Sequence, residues 1–182
     1  MRGFTRRATV SDALAWIEQS ARPLGEECVV LDESAGRTLA SDVTSAVDVP
    51  GFDRTMMDGY AVHADDCAGA SAYNRLPLTV IGEALPGQPC RVESTRGTAV
   101  RVMTGAPMPA GYDAVLPVEA TERDGELTFA TGEVSPGKNV GVRGEDISAG
   151  EAVLRTGRIV RPQDVGELSS IGIPKVPVVR RP

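Results

Sequence analysis

Aromatic residues, histidine and cysteine are all scarce in this sequence, and each shortage excludes a class of function. Only 4% of the 182 residues are aromatic, with one Trp, three Tyr and three Phe. The core must then be built from Val, Leu, Ile and Ala, which suits strands packed through aliphatic side chains. Few stacking platforms remain for a sequence-tolerant single-strand binder. His63 is the sole histidine, and the three cysteines, Cys28, Cys67 and Cys90, have no C-x-x-C spacing. Neither a disulfide framework nor a thiolate zinc site is implied, so a reducing cytoplasm is the expected compartment and His63 reads as a surface or strand residue. Positive charge is also short: 19 Lys and Arg against 25 Asp and Glu give a net charge of −6. That balance opposes neutralisation of a phosphate backbone, and no nucleic-acid partner is expected. The small basic clusters, Arg2 with Arg6 and Arg7, and Arg180 with Arg181, lie at the chain ends, where solvated charge is ordinary. No apolar run approaches the roughly 20 residues that span a bilayer, so no membrane partner is expected either.

What is present is patterned. Thr9 and Asp12 have capping-box spacing, and Val10, Leu14, Ile17 and Ala21 recur at helical intervals. One amphipathic helix is predicted over about Val10 to Ala21, with Trp16 covering the edge of its apolar stripe and Pro23 and Gly25 as its stop. Cys28 to Leu31 reads as a short strand, Asp32 to Arg37 as a helical turn and Leu39 to Ala46 as a strand. From Pro50 to Gly144 the chain is rich in Gly and Pro. Short aliphatic runs at Leu78–Ile81, Ala99–Met103, Ala114–Val118 and Glu126–Ala130 alternate there with turn residues, as in a barrel or sandwich. A strand pair is then expected at Ala152–Leu154 and Arg158–Val160. Pro162 follows as a first helical residue, with Val165, Leu168 and Ile171 inward, Gly172 as stop and Lys175–Val179 as a last strand. The fold class expected is α+β, mainly β: an elongated, discontinuous mixed first domain of residues 1–45 and 146–182, with a compact, β-barrel-like second domain, 46–145, inserted in it.

Three segments carry chemistry. In Pro50-Gly51-Phe52-Asp53-Arg54-Thr55-Met56-Met57-Asp58-Gly59-Tyr60-Ala61-Val62, Asp58 precedes a glycine whose backbone freedom would let the carboxylate stand clear of the surface. The plain alternative is a structured turn. In Arg101-Val102-Met103-Thr104-Gly105-Ala106-Pro107-Met108-Pro109, a strand breaks into Thr-Gly and places a hydroxyl and amides at its end, a corner able to hold an oxyanion. Otherwise Thr104 merely satisfies its own turn. In Asn139-Val140-Gly141-Val142-Arg143-Gly144-Glu145-Asp146-Ile147, an acidic pair stands beside a guanidinium. Asp146 could bind metal or join a charged cluster, or mark a hinge.

Together these segments resemble the N-terminal region of the molybdopterin molybdenumtransferases, the family that also includes the E domain of gephyrin. Met57-Asp58-Gly59-Tyr60-Ala61, Met103-Thr104-Gly105-Ala106-Pro107 with Asp113-Ala114-Val115, and Gly144-Glu145-Asp146-Ile147 occur in the family's order, and Ser169-Ser170-Ile171-Gly172-Ile173 resembles its run into the next domain. The resemblance implies insertion of molybdate into adenylated molybdopterin with release of AMP, assisted by Mg2+. By the same resemblance Asp58 is the metal or reacting-group carboxylate, Thr104 an active-site hydrogen-bond donor and Asp146 a supporting acid. It further implies a homodimer in the full-length family, with the molybdopterin adenylyltransferase as upstream partner. Family members continue into a molybdopterin-binding third domain and a C-terminal fourth domain that are absent here. The family's cleft lies between the second domain of one subunit and the third of its partner, so the present residues form one wall of a shared site, and the chain alone is expected to be inactive.

The sequence departs from the family at Gly141, where an arginine is usual and Arg143 follows two positions later, and at Arg54 and Met56, which are bulkier than usual. A non-catalytic scaffold or dimerisation module of gephyrin type is the alternative. A pure scaffold has no need for Asp58, Thr104 and Asp146 to converge on one concave face.

Overall fold

The structure, a computed structural model, describes residues 8–22, 24–125 and 127–182. Arg2, Arg6, Arg7, Pro23 and Glu126 therefore lie outside the described residues. In chain order the elements are helix α1 (Val10–Ser20), strands β1 (Glu26–Val30), β2 (Val43–Thr44), β3 (Arg54–Thr55), β4 (Gly59–Val62), β5 (Leu76–Ala84), β6 (Thr98–Val102), β7 (Ala114–Pro117), β8 (Thr121–Asp124), β9 (Leu127–Ala130), β10 (Val140–Gly141) and β11 (Ala152–Leu154), helix α2 (Pro162–Ser170) and strand β12 (Lys175–Val179). Short 3-10 turns stand at Leu31–Glu33, Ala64–Cys67 and Val118–Ala120. The described chain is mainly β, and it divides into two compact units: Met1–Thr44 with Ala152–Pro182, and Ser45–Glu151.

In the first unit the capping box of α1 forms in both directions, Asp12 N–H donating to Thr9 Oγ1 at 3.1 Å and Thr9 N–H to Asp12 Oδ2 at 2.9 Å. The helix buries no residue, however, and Trp16, expected to cover the stripe, is itself 68% exposed. Strand β1 pairs antiparallel with β12, whose Val176 and Val178 are fully buried. Helix α2 begins with Pro162, buries Leu168, and is followed by Ile171, also buried, and by Gly172 at φ 77°.

Two sequence expectations fail in this unit for one reason. The strand expected over Leu39–Ala46 shrinks to β2, and the expected pairing of Ala152–Leu154 with Arg158–Val160 does not form. Instead β11 pairs with β2, and Ile159 bridges Thr38. A hairpin between neighbouring runs is the local solution, but the distant segments 38–44 and 152–160 satisfy each other's backbone groups across the insertion. Sequence spacing carries no sign of such non-local pairing.

The second unit is built on a curled six-stranded sheet in the order β7-β4-β6-β5-β9-β8. The expected barrel is only half made: β7 and β8 are the two edges of the ladder and do not pair. Strand β4, next to edge strand β7, is buried on all four residues, and successive side chains alternate between its faces. Tyr60 and Val62 join Leu78, Ala99, Leu116 and Ala130 in one cluster, while Ala61 joins Ala84, Val100, Val102 and Val115 in another. Residues of the first sequence segment that read as a loop thus supply a fully buried strand of this sheet.

Candidate functional site

Strand β4 also explains Gly59. The sequence suggests a glycine chosen for turn freedom, yet Gly59 lies in regular strand structure opposite Pro117. A Cβ there would stand 2.1 Å from the Leu116 carbonyl oxygen. The residue is glycine because β7 approaches too closely for any side chain. Asp58 therefore enters β4 at a fixed point, with its own carbonyl accepting from Val118 N–H at 3.1 Å.

The second segment ends β6 and meets Asp58 directly. Thr104 donates both its N–H, at 2.8 Å, and its hydroxyl, at 2.7 Å, to Asp58 Oδ1, across 46 positions of sequence. These two bonds, backbone first, hold the Asp58 carboxyl below its ordinary value of 3.8, with Arg101 adding a smaller favourable charge. Asp58 is therefore ionised at neutral pH. The sequence leaves Thr104 either as a donor in a corner able to hold an oxyanion or as a residue that satisfies its own turn. Its partner is the carboxylate of this chain, and the neighbouring Gly105 N–H is spent on Thr55 O at 2.8 Å. The strand-end corner is filled from within.

Thr55 is the residue that sequence reasoning missed. It is fully buried, and its hydroxyl donates to Met103 O at 2.6 Å. Its N–H donates to Ala106 O at 2.9 Å, and it pairs with Val140 in the β3–β10 ladder. One side chain and its backbone thus tie all three sequence segments together. The only hint in the sequence is a small hydrogen-bonding residue at strand alternation from Asp53, too weak a signal to single it out.

Asp146 is not joined to the Asp58–Thr104 pair by any hydrogen bond among the described residues. Its Oδ2 lies 3.6 Å from Arg54 Nη2, and Glu145 Oε1 accepts from the same nitrogen at 2.7 Å. The guanidinium beside the acidic pair is Arg54, then, and not the adjacent Arg143, which binds Asp48 Oδ2 at 2.6 Å. This arrangement accounts for Gly141. It faces Arg54 across the ladder, and a Cβ at 141 would meet Glu145 Oε1 at 2.7 Å, Met56 Sδ at 3.0 Å and Arg54 Cγ at 3.1 Å. The Arg54–Glu145 pair occupies the space that a side chain at 141 would need.

Asp58 lines a cleft of about 350 Å³ whose wall includes Tyr60, Arg101, Val102, Val118 and Arg123. Among the described residues no three His, Cys, Asp or Glu side chains gather as a metal-ligand set. Asp58 offers a single carboxylate, with no hydrogen bond to its Oδ2 among the described residues. His63, expected at the surface or in a strand, is half-buried just after β4, with Nε2 2.7 Å from Ser94 Oγ and its ring against Tyr112. Cys67 is fully buried, and burial with nearby Asp66 and Asp113 pushes its thiol up to about 11, so it is inert as a nucleophile.

The family described as "MoeA N-terminal region (domain I and II)" matches residues 8–172. The chain is 36% identical over 168 residues to molybdopterin molybdenumtransferase 2 of Mycobacterium tuberculosis, covering 92% of this chain and 41% of that protein. It is 37% identical over 167 residues to the molybdopterin molybdenumtransferase of Haemophilus influenzae, covering 91% and 40%. Two crystal structures of the molybdopterin biosynthesis MoeA protein from Pyrococcus horikoshii are similar in fold. One has a TM-score of 0.82 and 44% identity, with 86% of this chain and 41% of that chain covered. The other has a TM-score of 0.86 and 33% identity, with 97% and 45% covered. The chain thus spans about two fifths of the length of the curated relatives it matches.

Proposed function

Since the chain belongs to the family of the MoeA N-terminal region, domains I and II, we propose that it is the part of a molybdopterin molybdenumtransferase that forms one wall of the site where molybdate enters adenylated molybdopterin. The observation that carries this reading is the Asp58–Thr104 clasp at the edge of a cleft. Two donors fix one oxygen of an ionised carboxylate and leave the other to act on a ligand. A turn that needed only a cap would not have to recruit a residue 46 positions away.

In this reading Asp58 is the reacting-group or metal carboxylate, and Thr104 fixes its orientation. Magnesium takes oxygen ligands and keeps several waters, so a single carboxylate beside substrate phosphates suffices to hold it, and Asp58 fits that role where a three-ligand cage does not. Bound there, the ion would neutralise charge on the phosphate that leaves as AMP. Asp146 supports the wall at one remove, through Arg54, which holds it and Glu145 together. Completion of the site by the third domain of a dimer partner, and supply of the adenylated substrate by an adenylyltransferase, belong to the same reading.

The test is molybdate-dependent release of AMP from adenylated molybdopterin by the full-length protein that contains this chain. Release that follows molybdate concentration and stops when molybdate is withheld is the expected outcome. Binding of the adenylate without molybdate-dependent AMP release would leave the scaffold alternative standing and remove this one.

A further inference from the structure

We propose that Arg101 and Arg123 form a subsite for a tetrahedral oxyanion in the cleft beside Asp58. The inference rests on reading that cleft as a substrate wall, and it names the part of the substrate the wall receives.

The amides and hydroxyl at the end of β6 are committed within the chain, to Asp58 and Thr55, so an anion entering here needs other donors. Three charged side chains line the cleft: Asp58, Arg101 and Arg123. Its lining is therefore positive by one charge on a chain whose net charge is −6. The other arginines of the same unit that lie beside carboxylates, Arg54, Arg75, Arg96 and Arg143, are each paired at 2.9 Å or closer. Arg101 reaches Glu83 only at 3.5 Å, with both side chains about half-exposed. Arg123 gives its Nε to Gly125 O at 3.1 Å and forms no ion pair among the described residues. Their remaining N–H groups are the uncommitted strong donors of the cleft.

The setting favours an anion further. Tyr60, which pairs with Arg101 across β4 and β6, is buried and Val118 adds an apolar side chain, so the cleft wall beside Arg101 is of low polarity and screens it less than water alone does. Two guanidinium forks, carried on different strands, β6 and β8, offer an anion in the cleft more donors than one fork can. That suits a tetrahedral oxyanion better than a planar carboxylate, which one fork can satisfy. Phosphoryl groups and molybdate share this chemistry. Asp58 would repel either one directly, so the anion sits on the arginine side of the cleft, with a cation or a ligand hydroxyl between it and the carboxylate.

The test is NMR titration of the 182-residue chain, following the Nε–Hε signals of its arginines, with pyrophosphate, AMP and molybdate as separate probes. Saturable shifts of Arg101 and Arg123 are expected, with dissociation constants weakened about ten-fold in Arg101→Gln and in Arg123→Gln. Arg101→Lys and Arg123→Lys should retain part of the affinity, and Arg75→Gln should bind as wild type. A response to pyrophosphate and AMP alone assigns the subsite to a phosphoryl group, and a response to molybdate alone assigns it to the metal oxyanion. No saturable shift, equal shifts at all arginines, or unchanged affinity in both Gln variants would overturn the proposal. Molybdate-dependent AMP release by the full-length protein is measured independently, so failure of this subsite is distinguishable from failure of the function proposed above.

Discussion

Thr55 shows how much one buried hydroxyl can hold. Its bond to Met103 O pins the residue that follows β6, and the next residue, Thr104, in turn fixes Asp58. Thr55→Val keeps the shape and removes the donor, leaving the part-buried Met103 carbonyl with only Ala106 N–H, at 3.0 Å. The expected cost is about 1–2 kcal/mol, read as a lower urea midpoint with an unchanged slope. Asp58 itself was legible because Asp-Gly in an ordered motif draws attention, and so was Thr104. Thr55 was not, because its importance lies in partners that the sequence scatters over residues 103, 105, 106 and 140. Gly59 and Gly141 were visible as glycines but not for their reasons. Exclusion of a side chain by Leu116 O or by the Arg54–Glu145 pair is a property of packing between segments far apart in the chain.

The two helices differ in what sustains them. Helix α1 was legible almost to the residue from its capping box and 3.6-residue period, but period reports an apolar face and not what covers it. Leu14 is 56% exposed and Ile17 50%, so the helix rests on its cap and propensity. Leu14→Ser in this chain should change the unfolding free energy, read from urea titration, by less than about 0.5 kcal/mol, against the 2–5 kcal/mol of a core leucine lost to a small residue. A large loss of stability would show that the face is packed. Helix α2 carries the opposite case in Asp164, which is 1% exposed and bound by Arg158 Nη2 at 2.7 Å and Arg161 Nη2 at 3.0 Å. The bonds from Arg158, then Arg161, hold its carboxyl well below the usual range. A depressed folded-state pKa gives stability that is fully present above the unfolded value of 3.8 and is lost as pH falls toward the folded one. The gap in melting temperature between wild type and Asp164→Asn should therefore be constant from about pH 8 to 5 and narrow below about pH 4. A gap that persists unchanged into strong acid would contradict an ionic origin.

Over the whole chain, strand content and the glycine-punctuated runs were readable because aliphatic runs and turn residues are local signals. The half-open ladder was not, since strand order depends on a parallel crossover from β5 to β6 that no local pattern announces. The candidate site was legible as motifs but only partly as an arrangement: Asp58 and Thr104 meet, while Asp146 pairs with Arg54 and shares no hydrogen bond with them among the described residues. The central claim is that the charge on Asp58, and not its shape, serves the chemistry. Asn keeps the size and an oxygen that still accepts from Thr104, so a turn residue would tolerate it. Turnover of Asp58→Asn in the full-length protein, measured as molybdate-dependent AMP release alongside thermal unfolding, separates the two. Turnover lower by about a hundred-fold or more, with a melting temperature within about 2 °C of wild type, is the result expected of a lost electrostatic contributor. Near-normal AMP release from the folded variant would contradict the claim.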